Sequence, residues 1–144
     1  MKKTIIVILS ILLIMLISIY MNYRQVLSGK LQARKFNQDY EFFNKESILG
    51  TDVTTMINKA IDNNEKHNIK KDENGLYISD NDYAIKIYVY MIIDEKTYPM
   101  EELVKAGLDS FTRYFGEVHF KCTDVKYHKS TGRISEMTFA STEL

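Results

Sequence analysis

The chain has one cysteine, one proline and no surplus of either charge, and each scarcity excludes something. With Cys122 alone, neither an intramolecular disulfide framework nor a Cys-rich zinc site can form. Nineteen basic residues against nineteen acidic ones leave no summed field to gather polyanions, so no nucleic-acid partner is expected. The sole proline, Pro99, lies far from the amino-terminal half, where nothing of its kind interrupts helical runs. Phosphate-cradling glycine loops, the HExxH pattern and the Gly-x-Ser-x-Gly elbow are all missing. A length of 144 residues suffices for one small core and not for two.

What is present begins with an apolar run. Thr4 to Met21 carries no charge, proline or glycine, and eighteen helical residues extend about 27 Å, close to the roughly 30 Å hydrocarbon core of a bilayer. Ser10 and Ser18 are tolerable there because a serine hydroxyl can bond back to a carbonyl one turn earlier. Tyr20 and Tyr23 fall where interfacial aromatics sit. Met-Lys-Lys before such a run also begins a cleavable signal peptide, but Ser18 to Asn22 presents bulky residues where a cleavage site wants small ones. No cysteine is there for lipid attachment either. Residues 1–22 are therefore read as an uncleaved signal anchor, with the lipid bilayer as partner of residues 4–21. Lys2 and Lys3 are packed beside the run, whereas Arg24, Lys30, Arg34 and Lys35 are diluted by Asp39, Glu41 and Glu46. That asymmetry puts the amino terminus inside and the carboxy-terminal domain outside the cell. Without the two lysines, the remainder carries a net charge of about −2.

Residues 23–49 read as a helical stalk, with Leu27, Leu31, Phe36, Tyr40 and Phe43 at mostly helical spacing and a kink expected near Ser28-Gly29. Residues 50–144 form the head. Thr51 is the expected cap of a helix whose apolar stripe is Val53, Met56, Ile57, Ala60 and Ile61, ending at Asp62 to Asn64. A polar loop follows to Gly75, then a short strand over Leu76 to Ser79. Tyr83 to Ile93 is the strongest strand, with Ile85, Ile87, Val89, Met91 and Ile93 on one face, and it belongs at the centre of a sheet. Pro99 opens a helix bearing Met100, Leu103, Val104, Leu108, Phe111 and Phe115 on one side; Gly107 allows close approach to the sheet, and Gly116 closes the helix. Val118 to His128 and Arg133 to Ala140 flank a turn and should pair antiparallel. The fold class is α+β: an N-terminal transmembrane helix and stalk, then a mainly antiparallel small sheet with helices on one side.

This plan resembles type IV pilins and pilin-like envelope proteins, in which a membrane-spanning amino-terminal segment continues as a helix into a small sheet-bearing head. The likeness is architectural and covers roughly residues 4–140. The apolar run lacks the glycine and glutamate that mark prepilin processing, so it does not extend to that step. Its Ile, Lys and Asn usage also resembles that of single-pass envelope proteins from low-GC Gram-positive bacteria.

Chemistry-bearing groups are sparse. His119 and Cys122 differ by an odd number along a strand and so point to opposite faces, which with distant His128 makes no metal set. Cys122 beside Phe120 reads as a small core residue, and the two histidines as surface strand residues. Asp72-Glu73, Asp80/Asp82 and Glu101/Glu102 are turn and helix-start acids. Tyr88 and Tyr90 share the strand face opposite the Ile85 to Ile93 stripe and are the candidate interaction surface. The sequence thus points to a non-enzymatic, membrane-anchored extracytoplasmic protein without cofactor or metal, serving as a pilin-like or envelope-assembly component with a protein partner. The alternative is a tethered ligand-binding or sensor module.

Overall fold

A computed structural model describes residues 2–142. Its first element, α1 (Lys2–Glu41), is one unbroken helix of about 60 Å at 1.5 Å per residue. It passes through Gly29 without the expected kink, because a lone glycine lowers helix propensity but removes no hydrogen bond. Over the apolar run its side chains are exposed, and the helix is long and apolar enough to cross a membrane. Ser10 and Ser18 each donate to the carbonyl four residues back, at 2.9 Å.

The far end of α1 does different work. Ala33, Phe36, Asn37 and Tyr40 recur at helical spacing and form the stripe that meets the rest of the protein. Leu27 and Leu31, assigned to that stripe from spacing, are exposed. Tyr40, Phe43 and Ile48 all belong to the same core as the head residues.

The head is α+β. Its elements are β1 (Ile48–Leu49), α2 (Gly50–Lys66), β2 (Lys86–Met91), β3 (Lys96–Pro99), α3 (Met100–Ala106), α4 (Leu108–Phe115), β4 (His119–Tyr127) and β5 (Ile134–Ser141). The sheet order is β1-β4-β5-β2-β3. All pairs are antiparallel except β2 with β5; β2, the strongest predicted strand, has a neighbour on each side, but β5 and not β2 holds the centre. The terminal pair is the antiparallel one predicted. Val53, Met56, Ile57 and Ala60 of α2, Met100 and Leu103 of α3, and Phe111 of α4 are buried against Ile87, Val89, Phe120, Met137 and Phe139 of the sheet.

Several local readings need correction. Thr51 does not cap α2: Leu49 holds the cap position, and the Asp52 carboxylate accepts its N–H at 3.1 Å. The first α2 amides donate to the carbonyls of Val118 and Gly116 instead. Gly50 is required there, because a Cβ would run into the Phe115 carbonyl at the end of α4. Leu76 to Ser79 makes no ladder strand but a single bridge, Lys71 to Tyr77. The Asp72 carboxylate takes the N–H groups of Asn74 and Leu76, both at 2.9 Å, and fixes a turn instead. The long strand stops at Met91, which leaves Ile93 exposed. The helix after Pro99 is two helices. Gly107 separates them at φ 101°, so its role is backbone freedom and not approach to the sheet.

Candidate functional site

Burial alternates along β2. Ile87, Val89 and Met91 are buried under the helices, while Lys86, Tyr88 and Tyr90 stand half-exposed on the opposite face. Register builds that face into rows. Lys126, Glu136 and Lys86 form the first across β4, β5 and β2; Asp124, Thr138, Tyr88 and Pro99 form the second; Lys121, Ala140, Tyr90 and Thr97 form the third. Small or β-branched residues therefore flank both rings, leaving the aromatic faces open between low neighbours. The charged row is organised by the Lys126 to Glu136 pair at 2.5 Å, an exposed contact that adds little stability but fixes local charge order. Burial raises the Tyr88 phenol above its ordinary value, and Glu136 and Glu101 add to the effect. The ring is therefore neutral at physiological pH, and it offers apolar area with a hydroxyl at the tip.

The structure separates the soft ligands. His119 opens β4, and His128 follows its last residue at the far end. His119 Nδ1 is 2.8 Å from Ser47 Oγ. His128, for which no partner was evident in sequence, places Nε2 2.8 Å from the Ala84 carbonyl, so that nitrogen carries the proton and donates. Cys122 faces the core side, and its thiol lies 3.6 Å from the Asp124 carbonyl. Burial pushes the thiol above its ordinary value, which leaves little thiolate at neutral pH. Among the described residues, no three His, Cys, Asp or Glu side chains converge as a metal site.

One acidic residue read as a helix-start acid has a further task. Glu101 Oε1 accepts the Tyr77 N–H at 2.8 Å and ties the extended arm after Asp72 to α3. Beside this contact lies a cavity of about 620 Å³ between α2, α3 and the arm, with Glu65, Lys71, Glu102 and Lys105 around it. Local periodicity could not show it, since the α3 wall lies 24 or more residues from those of α2 and the arm.

The chain matches no protein-family model, no curated protein and no solved structure.

Proposed function

We propose that this is a non-enzymatic, single-pass membrane protein of the cell envelope whose extracytoplasmic head binds a protein partner through the open sheet face bearing Tyr88 and Tyr90. The observation that carries the reading is the one-sided architecture: α1 supplies an exposed apolar span, while the helices of the head cover one face of the sheet and leave the two tyrosines on the other. Tyrosines set among small residues give contact area at low conformational cost, a pattern enriched where proteins meet. A tether also confines head and partner to one thin layer, so modest affinity suffices. A membrane-anchored helix that runs into a sheet-bearing head supports the pilin-like, assembly-component form of this reading at the level of architecture alone. The dispersed histidines and the protonated thiol support a non-catalytic role.

A photocrosslinking residue at Thr138, directly beside Tyr88 in its row, tests the reading in native membranes. The expected result is one discrete adduct that Tyr90→Lys abolishes while a probe at exposed Lys105 gives none. An adduct unchanged by both Tyr88→Lys and Tyr90→Lys would remove the face from consideration. A second reading, the tethered ligand-binding module, is favoured by the Tyr77-side cavity, which is within the size range of small-molecule pockets.

A further inference from the structure

Arg133 is the one charged residue among the described residues that is buried, at 8% exposure. It lies at the start of β5, where α1 meets the head. Its guanidinium carbon is 4.0 Å from the centre of the Tyr83 ring and 5.4 Å from that of Phe36. Aromatic faces offset part of the cost of burying a cation. They do not satisfy the five N–H donors, which point in the guanidinium plane. Among the described residues no carboxylate pairs with Arg133, and its guanidinium makes no hydrogen bond; both ion pairs belong to Lys126. Tyr77 Oη is the sole sealed, unpartnered side-chain polar atom among the described residues, so the guanidinium nitrogens must still reach solvent.

Arg133 itself lines a cavity of about 740 Å³ between α1, Tyr83 and the β4–β5 turn. Lys30 on α1 and Lys129 on the turn also line it. Its one carboxylate, Asp82, is engaged by the Ser130 hydroxyl. Three cations against one acid make a local excess of two positive charges in a head that is otherwise mildly acidic. An unpaired guanidinium with lysines above it matches the oxygens of a phosphate group, which accepts side-on donors from arginine and point charges from lysine. The lining residue nearest the span is Gln25, four residues or about 6 Å beyond the last apolar residue of the span, which is headgroup depth.

We propose that this cavity is a binding site for a phosphate ester, with Arg133 as its floor and Lys30 and Lys129 at its rim. The ester can be carried on a membrane lipid headgroup or be free in solution, and the chemistry recognised is the same. The proposal is independent of the sheet-face reading, because no residue is shared.

The test uses the full chain in phosphatidylcholine nanodiscs, titrated calorimetrically with glycerol 3-phosphate, and separately in phosphatidylcholine–phosphatidylglycerol nanodiscs, with retained lipid read by native mass spectrometry. Saturable binding of glycerol 3-phosphate identifies a soluble ester as ligand. Selective retention of phosphatidylglycerol without it identifies the headgroup. In either case the exposed double variant Lys30→Ala/Lys129→Ala should weaken binding at least tenfold, by loss of two charge-assisted contacts. Arg133→Gln should abolish it. Since Arg133→Gln can also unfold the head, its melting curve is recorded, and the lysine pair, being exposed, keeps the test decisive. Binding of neither probe, or binding undiminished in the lysine variant, overturns the proposal.

Discussion

The Asn37 side chain on α1 accepts the Ile134 N–H at 2.9 Å and donates to the Gly132 carbonyl at 2.9 Å, joining positions 97 and 95 residues apart. It brackets Arg133 and replaces the neighbouring strand that β5 lacks at that point. Asn64 on α2 does the same for β2: its amide accepts the Ile85 N–H at 2.9 Å and donates to the Ile85 carbonyl at 2.7 Å, with both residues wholly buried. Two helix asparagines thus supply backbone-like pairing where two interior strands begin.

Replacing these amides should separate the two roles. Asn64→Ala leaves a buried N–H and a buried C=O without partners, and should cost about 2–4 kcal/mol at roughly 1–3 kcal/mol per unsatisfied group, softened by entering water. Asn37→Ala lies at a more accessible position and should cost about 1–2 kcal/mol. Urea unfolding of the detergent-solubilised chain measures both, and equal small effects would refute the bracket at Asn64.

Gly29 and Gly107 should respond to alanine with opposite signs. Gly29 is mid-helix with nothing within 4 Å of a built Cβ, so Gly29→Ala should stabilise α1 by about 0.5–1 kcal/mol. Gly107 sits at φ 101° between α3 and α4, a conformation that costs an L-residue about 1–3 kcal/mol. Thermal melts of the two variants check the signs. A destabilised Gly29→Ala would mean that the helix bends there after all.

How much of this was legible in sequence follows from the range of each interaction. The apolar span, the α2 stripe, Val89 and Phe111 in the core and the terminal antiparallel pair rest on local periodicity, which a sequence displays directly. Tyr88 and Tyr90 could be placed on one face by alternation alone. What periodicity could not carry was long-range or geometric. The parallel β2–β5 pairing, the four-residue edge strand β3 and the break at Gly107 depend on partners or φ values that leave no repeat. His128 and Arg133 were ordinary polar strand residues by pattern, and only the arrival of Ala84, Tyr83 and Phe36 from elsewhere gives them their surroundings.

His67 makes the stability of the head pH-sensitive. Its ring stacks on Tyr83 with centroids 4.0 Å apart, and the Arg133 guanidinium is also 4.0 Å from that centre, so the two must occupy opposite faces of the same ring. Partial burial first, then Lys66 and Arg133, hold His67 below its ordinary value. The unfolded chain therefore takes up a proton before the folded one does. The stabilisation is complete above about pH 6.5, the ordinary histidine value, and declines as pH falls below it toward the lowered folded value. His67→Phe keeps the stack and removes the proton. Melting temperatures of wild type and variant should run parallel above pH 7 and diverge below about pH 6.5, with wild type falling faster; parallel curves throughout would rule out His67 as the source.

Tyr77 offers the sharpest stability test, because burial and bonding disagree there. The residue is 3% exposed, and its hydroxyl is the sealed polar atom without a partner. Lys71 lies over the ring, with Nζ 4.5 Å from its centre, and so faces the π-system. Burial raises the phenol above its ordinary value, with Lys71 opposing and Glu65 contributing in the same sense as burial, so the hydroxyl stays protonated and un-ionised at neutral pH. A buried hydroxyl that makes no bond costs about 1–3 kcal/mol relative to leaving it in water. Tyr77→Phe removes that cost while the ring keeps its packing, so the variant should be as stable as wild type or more stable by up to about 2 kcal/mol. Tyr77→Ala is the control: it empties a core position and should lose about 3–5 kcal/mol. Urea midpoints for the three proteins at neutral pH measure both effects. If Tyr77→Phe instead loses more than about 1 kcal/mol, the hydroxyl has a bonded partner in solution, and the Lys71 ammonium, already over the ring, becomes the first group to look at.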